Sequence, residues 1–118
     1  MIPIMHDFSL QSSRLTIQVK TKVWLEISGH RLFGEGSAQL FRLIRETGSI
    51  NASAKIMGIS FRRAWGLVKD MEETLGITLL EKKRGGIGGG TTSLNPAALE
   101  LLERYEAILK KFISVTAP

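Results

Sequence analysis

Apolar and polar residues alternate along the first part of the chain. From Leu15 to Ile27 the apolar side chains fall mainly at odd positions and the polar ones mainly at even positions. This period of two predicts β-structure, either as one long strand or as two strands with a break near residues 20–22. Residues 1–14 show no clear period, so we expect a partly disordered N-terminal segment there.

After the turn-like stretch 34–36 the apolar residues recur at separations of three and four, which predicts helices. Each of the first three predicted helices begins at a serine that can cap it and stops at a glycine. The helices are predicted over residues 37–46, 50–57 and 61–75, with Ser37, Ser49 and Ser60 as N-caps and Gly48, Gly58 and Gly76 as stops.

A hairpin and a last helix complete the predicted order of elements. A strand over residues 77–82 is followed by the glycine-rich stretch 85–90 and a second strand over residues 91–94. Asn95 and Pro96 are typical of a helix start, and the wide apolar stripe of the last helix runs from Ala97 to about Ile113. The pattern predicts an α+β fold, mainly α, in which residues 15–118 form a single domain.

The composition favours a polyanionic partner. The 118 residues include 16 Lys and Arg against 11 Asp and Glu, a formal net charge of +5. A membrane surface is also anionic and would attract a basic chain of this kind. No membrane partner is expected, because no apolar run reaches the roughly 18 residues that a spanning helix needs. The first residues lack the features of a secretory signal, so we expect a cytoplasmic protein.

Few residues have the chemistry of a catalytic or metal site. The chain has no cysteine, and His6 and His30 stand far apart in sequence, so we interpret both as surface histidines. No activated nucleophile, carboxylate pair or metal-ligand cluster is recognisable. The glycine-rich stretch also lacks the lysine that follows the glycines of a nucleotide-binding loop. We therefore expect no enzyme activity, no cofactor and no metal.

The stretch from Ile50 to Lys69 is typical of a helix-turn-helix. Ala54 is small enough for two helices to cross closely, Gly58 permits a tight turn, and Ile59 fills the angle between the helices. The second helix, residues 61–75, would then present its basic residues to the major groove of DNA as the recognition helix. The alternative is a generic helical pair with an exposed basic face.

Candidate DNA contacts lie on this motif and on the hairpin. At the start of the recognition helix, Arg62 and Arg63 are expected to contact bases. Ser60 and Lys69 are expected to contact phosphate. Residues 82–84 form the only run of three adjacent cations and suit the sugar-phosphate backbone or an adjacent minor groove. The full set of candidate DNA-binding residues is Ser49, Asn51, Ser60, Phe61, Arg62, Arg63, Gly66, Lys69, Lys82, Lys83, Arg84, Thr91 and Thr92.

Two aromatic residues of the recognition helix allow two interpretations. Phe61 and Trp65 lie one helical turn apart and have the chemistry to stack on bases. A pair at this spacing more often covers the edge of a hydrophobic core. We favour packing for both residues and leave contact with DNA open.

Three stretches of the chain resemble a known family. Residues 46–50 (ETGSI), 57–65 (MGISFRRAW) and 81–90 (EKKRGGIGGG) resemble the N-terminal DNA-binding domain of ModE-type molybdate-responsive regulators. The helix-turn-helix is also similar to that of LysR-type regulators. The resemblance covers residues 31–105, about two thirds of the chain. It implies a dimeric winged helix-turn-helix that binds palindromic operators, with the hairpin as the wing and the last helix as the dimerisation helix.

The chain also departs from the ModE pattern. Full-length ModE-type proteins continue into β-type molybdate-binding domains, whereas this sequence stops at Pro118, so we expect those domains to be lacking. If molybdate controls this chain, the control has to come through a separate ligand-sensing chain or through a site that the sequence does not reveal.

Together the patterns predict a sequence-specific transcriptional regulator that binds DNA as a homodimer. The last helix and the strand region 15–27 are the candidate subunit contacts. One alternative is a non-specific architectural or nucleoid-associated DNA-binding protein, which the basic charge supports equally. The other is a winged-helix protein-interaction module, which the exposed Arg62, Arg63 and Lys69 disfavour.

Overall fold

The computed structural model describes residues 4–9, 16–85 and 89–116. Within these residues the chain forms short strands, then three helices, a hairpin and a long last helix. The elements are β1 (Ile4–Ser9), β2 (Thr16–Thr21), β3 (Leu25–Ile27), β4 (His30–Phe33), α1 (Glu35–Thr47), α2 (Ile50–Met57), α3 (Phe61–Leu75), β5 (Leu80–Lys83), β6 (Thr91–Leu94) and α4 (Pro96–Thr116). The fold is α+β, mainly α, and the predicted winged helix-turn-helix class is confirmed.

The described strands pair as three antiparallel hairpins, β1–β2, β3–β4 and β5–β6. Residues 22–24 separate β2 from β3, so the interpretation of the alternating segment as two strands is the one confirmed. Strand β1 lies within residues 1–14, where the sequence predicts no element. The remainder of that segment, residues 1–3 and 10–14, lies outside the described residues, as does Leu15.

Strand β4 was not predicted from the sequence. It pairs with β3 across a two-residue turn in which Ser28 has φ 49° and Gly29 has φ 78°. Two successive positive φ angles are typical of the tight turns that match the twist of a hairpin. The Ser-Gly dipeptide could have indicated this turn. The second strand was missed because the apolar alternation stops at Ile27.

Local signals predicted α2 and α3 correctly. The Ser49 hydroxyl accepts a hydrogen bond from the Ala52 amide at 3.0 Å, and the Ser60 hydroxyl accepts one from the Arg63 amide at 3.0 Å. Gly58 and Gly76 end the two helices with φ near 70°, in the left-handed region that favours glycine. Both helices have the predicted bounds because their start and stop signals lie within a few residues of the backbone groups they satisfy.

Helix α1 begins before the position that its sequence pattern indicates. Gly34 is its N-cap, so the prediction of Ser37 as the cap is wrong. Glu35 in the first turn is only 4% exposed, and its carboxylate accepts a hydrogen bond from Arg42 at 2.7 Å. This partly buried ion pair joins the first turn of α1 to a residue two turns later, and a pairing seven residues apart is not visible as a capping motif.

Strand β5 begins three residues later than predicted, at Leu80 instead of Ile77. The preceding backbone is bonded elsewhere: the Leu79 amide donates to Glu72 at 2.8 Å, and the Asn95 side chain donates to the Thr78 carbonyl at 2.6 Å. Asn95 also accepts from the Ala98 amide at 2.9 Å, which confirms it as the cap of α4. These bonds use the peptide groups that a longer strand would need.

An aromatic cluster joins β4, α1 and α4 in the core. Phe33 packs edge-on against Phe41 and against Tyr105, with ring centroids 5.3 and 5.2 Å apart. The Tyr105 hydroxyl lies 3.0 Å from the Val23 carbonyl and 3.2 Å from a Glu35 carboxylate oxygen. Burial, followed by the nearby Glu35 charge, raises the pKa of Tyr105 to about 12. The cluster thus secures the helix that precedes the helix-turn-helix.

Candidate DNA-binding surface

Helices α2 and α3 form a tightly joined pair. After α2 the chain turns at Gly58, with φ 72°, and the Ile59 amide donates to the Ala54 carbonyl at 3.0 Å. Ala54 and Ala64 are at most 1% exposed, as expected where two helices approach closely. The turn and these two small residues fix the orientation of α3 relative to α2.

The outward face of α3 is basic from Arg62 to Lys69. Arg62 and Lys69 are exposed and Gly66 is half-buried, and their spacing of four and three places them on one stripe. The opposite face contains the buried Ala64, Val68 and Met71. After Lys69 the helix exposes acidic residues, Asp70 and Glu73. The charge distribution therefore favours an anionic partner at the part of α3 that ends at Lys69.

Arg62 and Arg63 do not face the same surroundings. Arg62 lies on the outward stripe, whereas Arg63 lines a cleft of about 370 Å³ between the flank of α3 and the segment from β4 to α1. Arg31 and Asp70 line the same cleft. The structure thus brings Arg62, Gly66 and Lys69 together and places Arg63 at the edge of their surface.

The β5–β6 hairpin, the wing, lies on the other flank of α3. Lys82, Lys83 and Arg84 are exposed, and Lys82 pairs with Thr92 and Lys83 with Thr91 across the hairpin. Opposite Lys82 in the hairpin, the Thr92 amide donates to the Gly48 carbonyl at 2.8 Å, which attaches the tip-side half of β6 to the end of α1. The predicted cations and threonines therefore form one element beside the recognition helix.

The described part of the wing tip requires glycine. A Cβ atom on Gly85 would overlap the Gly89 carbonyl, and one on Gly90 would overlap the Lys83 carbonyl. The centre of the glycine-rich stretch, residues 86–88, lies outside the described residues. Steric exclusion of side chains at Gly85 and Gly90 explains why glycines flank the tip.

The two aromatic residues of α3 differ in burial. Trp65 is half-buried and packs against the core, which confirms the packing interpretation for this residue. Phe61 instead is 50% exposed at the first position of α3. Sequence reasoning missed the polar surroundings of Trp65: the Lys69 and Lys82 ammonium nitrogens lie 4.6 and 4.8 Å from the centroid of its ring.

The remaining candidates lie at the starts of α2 and α3. Asn51 is exposed in the first turn of α2, and the hydroxyl of half-buried Ser49 is occupied as the cap of that helix. Ser60 is exposed and caps α3 in the same way. In each of the two helices the serine caps one first-turn amide, and amides at such a helix start can also bind phosphate oxygens.

The described residues contain no group of three or more His, Cys, Asp or Glu side chains that could hold a metal ion. Among the described helices, none is both long and apolar enough to cross a membrane.

A helix, a glycine turn, an outward-facing basic helix and a basic hairpin define the winged helix-turn-helix class of proteins. Residues 37–99 match the family described as bacterial regulatory helix-turn-helix protein, lysR family. That match spans more than half of the chain, and the chain belongs to this family.

Characterised relatives share the same region, and the predicted resemblance to ModE-type proteins is confirmed. The chain is 39% identical over 72 residues to the molybdenum transport protein ModE of Herbaspirillum seropedicae, covering 61% of this chain and 27% of that protein. It is 38% identical over 86 residues to the molybdenum-pterin-binding protein MopB of Rhodobacter capsulatus, covering 73% and 32% respectively. It is 33% identical over 69 residues to the DNA-binding transcriptional dual regulator ModE of Escherichia coli K12, covering 58% and 26%. The matched region is thus about a third or less of each relative.

Proposed function

We propose that the chain is a sequence-specific transcriptional regulator that binds double-stranded DNA through α3 and the wing. The observation that supports this most directly is the arrangement of the cations. The basic stretch of α3 from Arg62 to Lys69 and the basic wing are adjacent and both exposed, in a fold of the lysR helix-turn-helix family. Such a surface binds DNA with its own side chains and needs no cofactor.

In this proposal the helix and the wing have different roles. Arg62 and Arg63 contact base edges in the major groove, where a guanidinium group can donate two hydrogen bonds to guanine. Exposed Phe61 lies beside them, and half-buried Gly66 lets the DNA approach the helix closely. Ser49, Asn51, Ser60 and Lys69 contact phosphates around the groove. The wing residues Lys82, Lys83, Arg84, Thr91 and Thr92 contact the sugar-phosphate backbone.

The proposed unit on DNA is a homodimer on a palindromic operator. Helix α4 exposes apolar surface at Ile108 and Phe112, and the N-terminal hairpins expose apolar surface at Ile17, Trp24 and Ile27. Contiguous apolar surface of this kind is typical of subunit contacts. Two recognition helices would then be presented about 34 Å apart, one turn of DNA. Sedimentation at micromolar concentration should show a dimer, and a monomer both alone and on DNA would contradict this part of the proposal.

The domain organisation and the regulatory signal are also proposals. We propose that residues 15–118 act as one DNA-binding domain. The molybdenum in the names of the relatives refers to those proteins. We propose that any corresponding signal reaches this chain through a separate ligand-sensing chain or through a site that the sequence does not reveal.

Selection of bound sequences from a random duplex pool tests the function. A regulator should enrich a palindromic site and prefer it over random duplex by roughly 10³-fold or more. Arg45→Ala, which removes an exposed cation from α1, a helix with no proposed DNA or subunit contact, is the matched control and should leave the selected site unchanged. Strong binding without enrichment would indicate a non-specific architectural protein instead. Absence of duplex binding would favour a protein-interaction module.

A further inference from the structure

The recognition helix and the wing meet at a single indole ring. Lys69, one helical turn after Trp65, has its ammonium nitrogen 4.6 Å from the ring centroid. Lys82, on the first strand of the wing, has its nitrogen 4.8 Å from the same centroid. Both distances are within the range in which the negative face of an aromatic ring attracts a cation. Trp65 therefore contacts one cation from each of the two elements.

The ring and its neighbours are held in place by the rest of the fold. Trp65 is half-buried and packs against the core. Its sequence neighbour Ala64 is fully buried, and Leu67, two residues later, is partly buried. The Glu72 carboxylate lies 3.2 Å from the Lys69 nitrogen, and its other oxygen accepts the Leu79 amide at 2.8 Å. The chain entering the wing is thus bonded to the same helix that positions the ring.

This arrangement orders two lysines before any DNA is bound. A lysine side chain has many rotamers, and fixing it in a complex costs conformational entropy. Cations held over the ring have already lost part of that freedom. A lysine ammonium has three donors, so one that rests on a ring can still donate to a phosphate oxygen. The result is a pair of ordered ammonium groups where α3 meets the wing, with the Glu72 carboxylate beside that of Lys69.

We propose that Trp65 is a positioning residue that holds Lys69 and Lys82 close together. The helix and the wing then bind the same stretch of the phosphate backbone. This role rests on the proposed DNA-binding function. In it, Trp65 acts through the two lysines and does not stack on a base.

A double-mutant cycle on the selected operator tests the coupling. Trp65→Leu should weaken binding about tenfold, or about 1.4 kcal/mol. Lys82→Ala should also weaken binding, but by several-fold less in the Trp65→Leu background than in the parent, because the ring no longer holds the lysine there. Lys83 is the matched control, since neighbouring strand residues point to opposite faces. The cost of Lys83→Ala should be the same in both backgrounds.

The salt dependence separates positioning from charge. Trp65→Leu leaves both cations in the chain, so the slope of log affinity against log salt should stay nearly constant. Lys82→Ala removes a phosphate contact and should flatten that slope by about 0.9. Trp65→Phe retains a ring and packing, and should recover part of the lost affinity. If Trp65→Leu does not fold, as judged by its melting curve, the cycle is measured with Trp65→Phe in its place.

Fluorescence tests the geometry without DNA. The chain has two tryptophans, so Trp24→Phe leaves Trp65 as the only indole. In that background Lys82→Ala should change the Trp65 emission, whereas Lys83→Ala should not. Additive costs in the cycle, or an emission unaffected by Lys82→Ala, would overturn the positioning role while leaving DNA binding intact. A Trp65→Leu variant with altered base preference would overturn it too, because the ring would then read bases. A parent protein that binds no duplex would refute the proposed function and this role together.

Discussion

The recognition helix and the wing both expose cations, but the two elements are anchored to the rest of the fold in different ways. Helix α3 is capped by the Ser60 hydroxyl at one end and by Gly76 at the other, and it buries one face in the core. The wing is attached to the rest of the fold along β6, through the Thr92 amide and the buried Leu94. Its described residues from 81 to 85 are all exposed. A side chain on the rigid helix can keep the geometry that base reading requires, whereas a cation on the wing mainly supplies charge.

Removal of the wing cations should have the largest effect. The triple variant Lys82→Ala, Lys83→Ala, Arg84→Ala should bind the selected operator about 100-fold more weakly near 0.1 M salt, because each phosphate contact releases a counterion. Titrations at several salt concentrations should give a slope shallower by about two to three. The ranking of operator variants should barely change. A constant slope with a shifted base preference would show that the wing reads sequence. The division of roles between α3 and the wing would then be wrong.

Substitution of the helix arginines should give the opposite signature. Arg62→Ala should cost about 1 to 3 kcal/mol on the selected site and relax selectivity at one base pair, as expected for a base-reading arginine. Arg63→Ala should cost less, because Arg63 lies at the cleft on the flank of α3. Binding to a panel of single-base operator variants measures both effects. If both variants bind as tightly as the parent, α3 does not recognise bases through Arg62 or Arg63.

Deprotonation of Tyr105 should destabilise the core that supports α3 and the wing. Its pKa of about 12, above the usual 10, means that the folded state holds the phenol proton more tightly than the unfolded chain does. The resulting stability is complete below pH 10 and is lost as the pH rises from 10 towards 12. We expect the parent to lose roughly 2 kcal/mol over this range relative to Tyr105→Phe. Denaturant melts of both proteins at each pH measure the difference, and parallel pH curves would contradict it.

A change at Gly66 should separate stability from binding. Gly66 lies within α3, and a Cβ atom there would meet nothing within 4 Å. Gly66→Ala should therefore stabilise the fold by about 0.5 to 1 kcal/mol through helix propensity. On the outward stripe, however, the added methyl group should weaken operator binding several-fold. A variant that is more stable and binds equally well would show that DNA does not approach α3 at this point.

The sequence by itself determined the elements whose signals are local. The bounds of α2 and α3 were predictable because Ser49, Ser60, Gly58 and Gly76 act on backbone groups within four residues. The start of α4 at Pro96 follows in the same way from Asn95. The basic stripe of the recognition helix was also predictable, since helical periodicity alone places Arg62 and Lys69 opposite the apolar face.

Tertiary structure decided the features that depend on residues distant in sequence. The early start of α1 accompanies the burial of Glu35 against Tyr105, and the late start of β5 accompanies the bonds from Asn95 and Glu72. The juxtaposition of Trp65 with Lys82 belongs to the same group, because it joins a helix to a strand. None of these pairings has a period or a motif. They form only when packing brings together groups whose sequence separation exceeds the reach of local patterns, so only the folded chain reveals that the recognition helix and the wing share one ring.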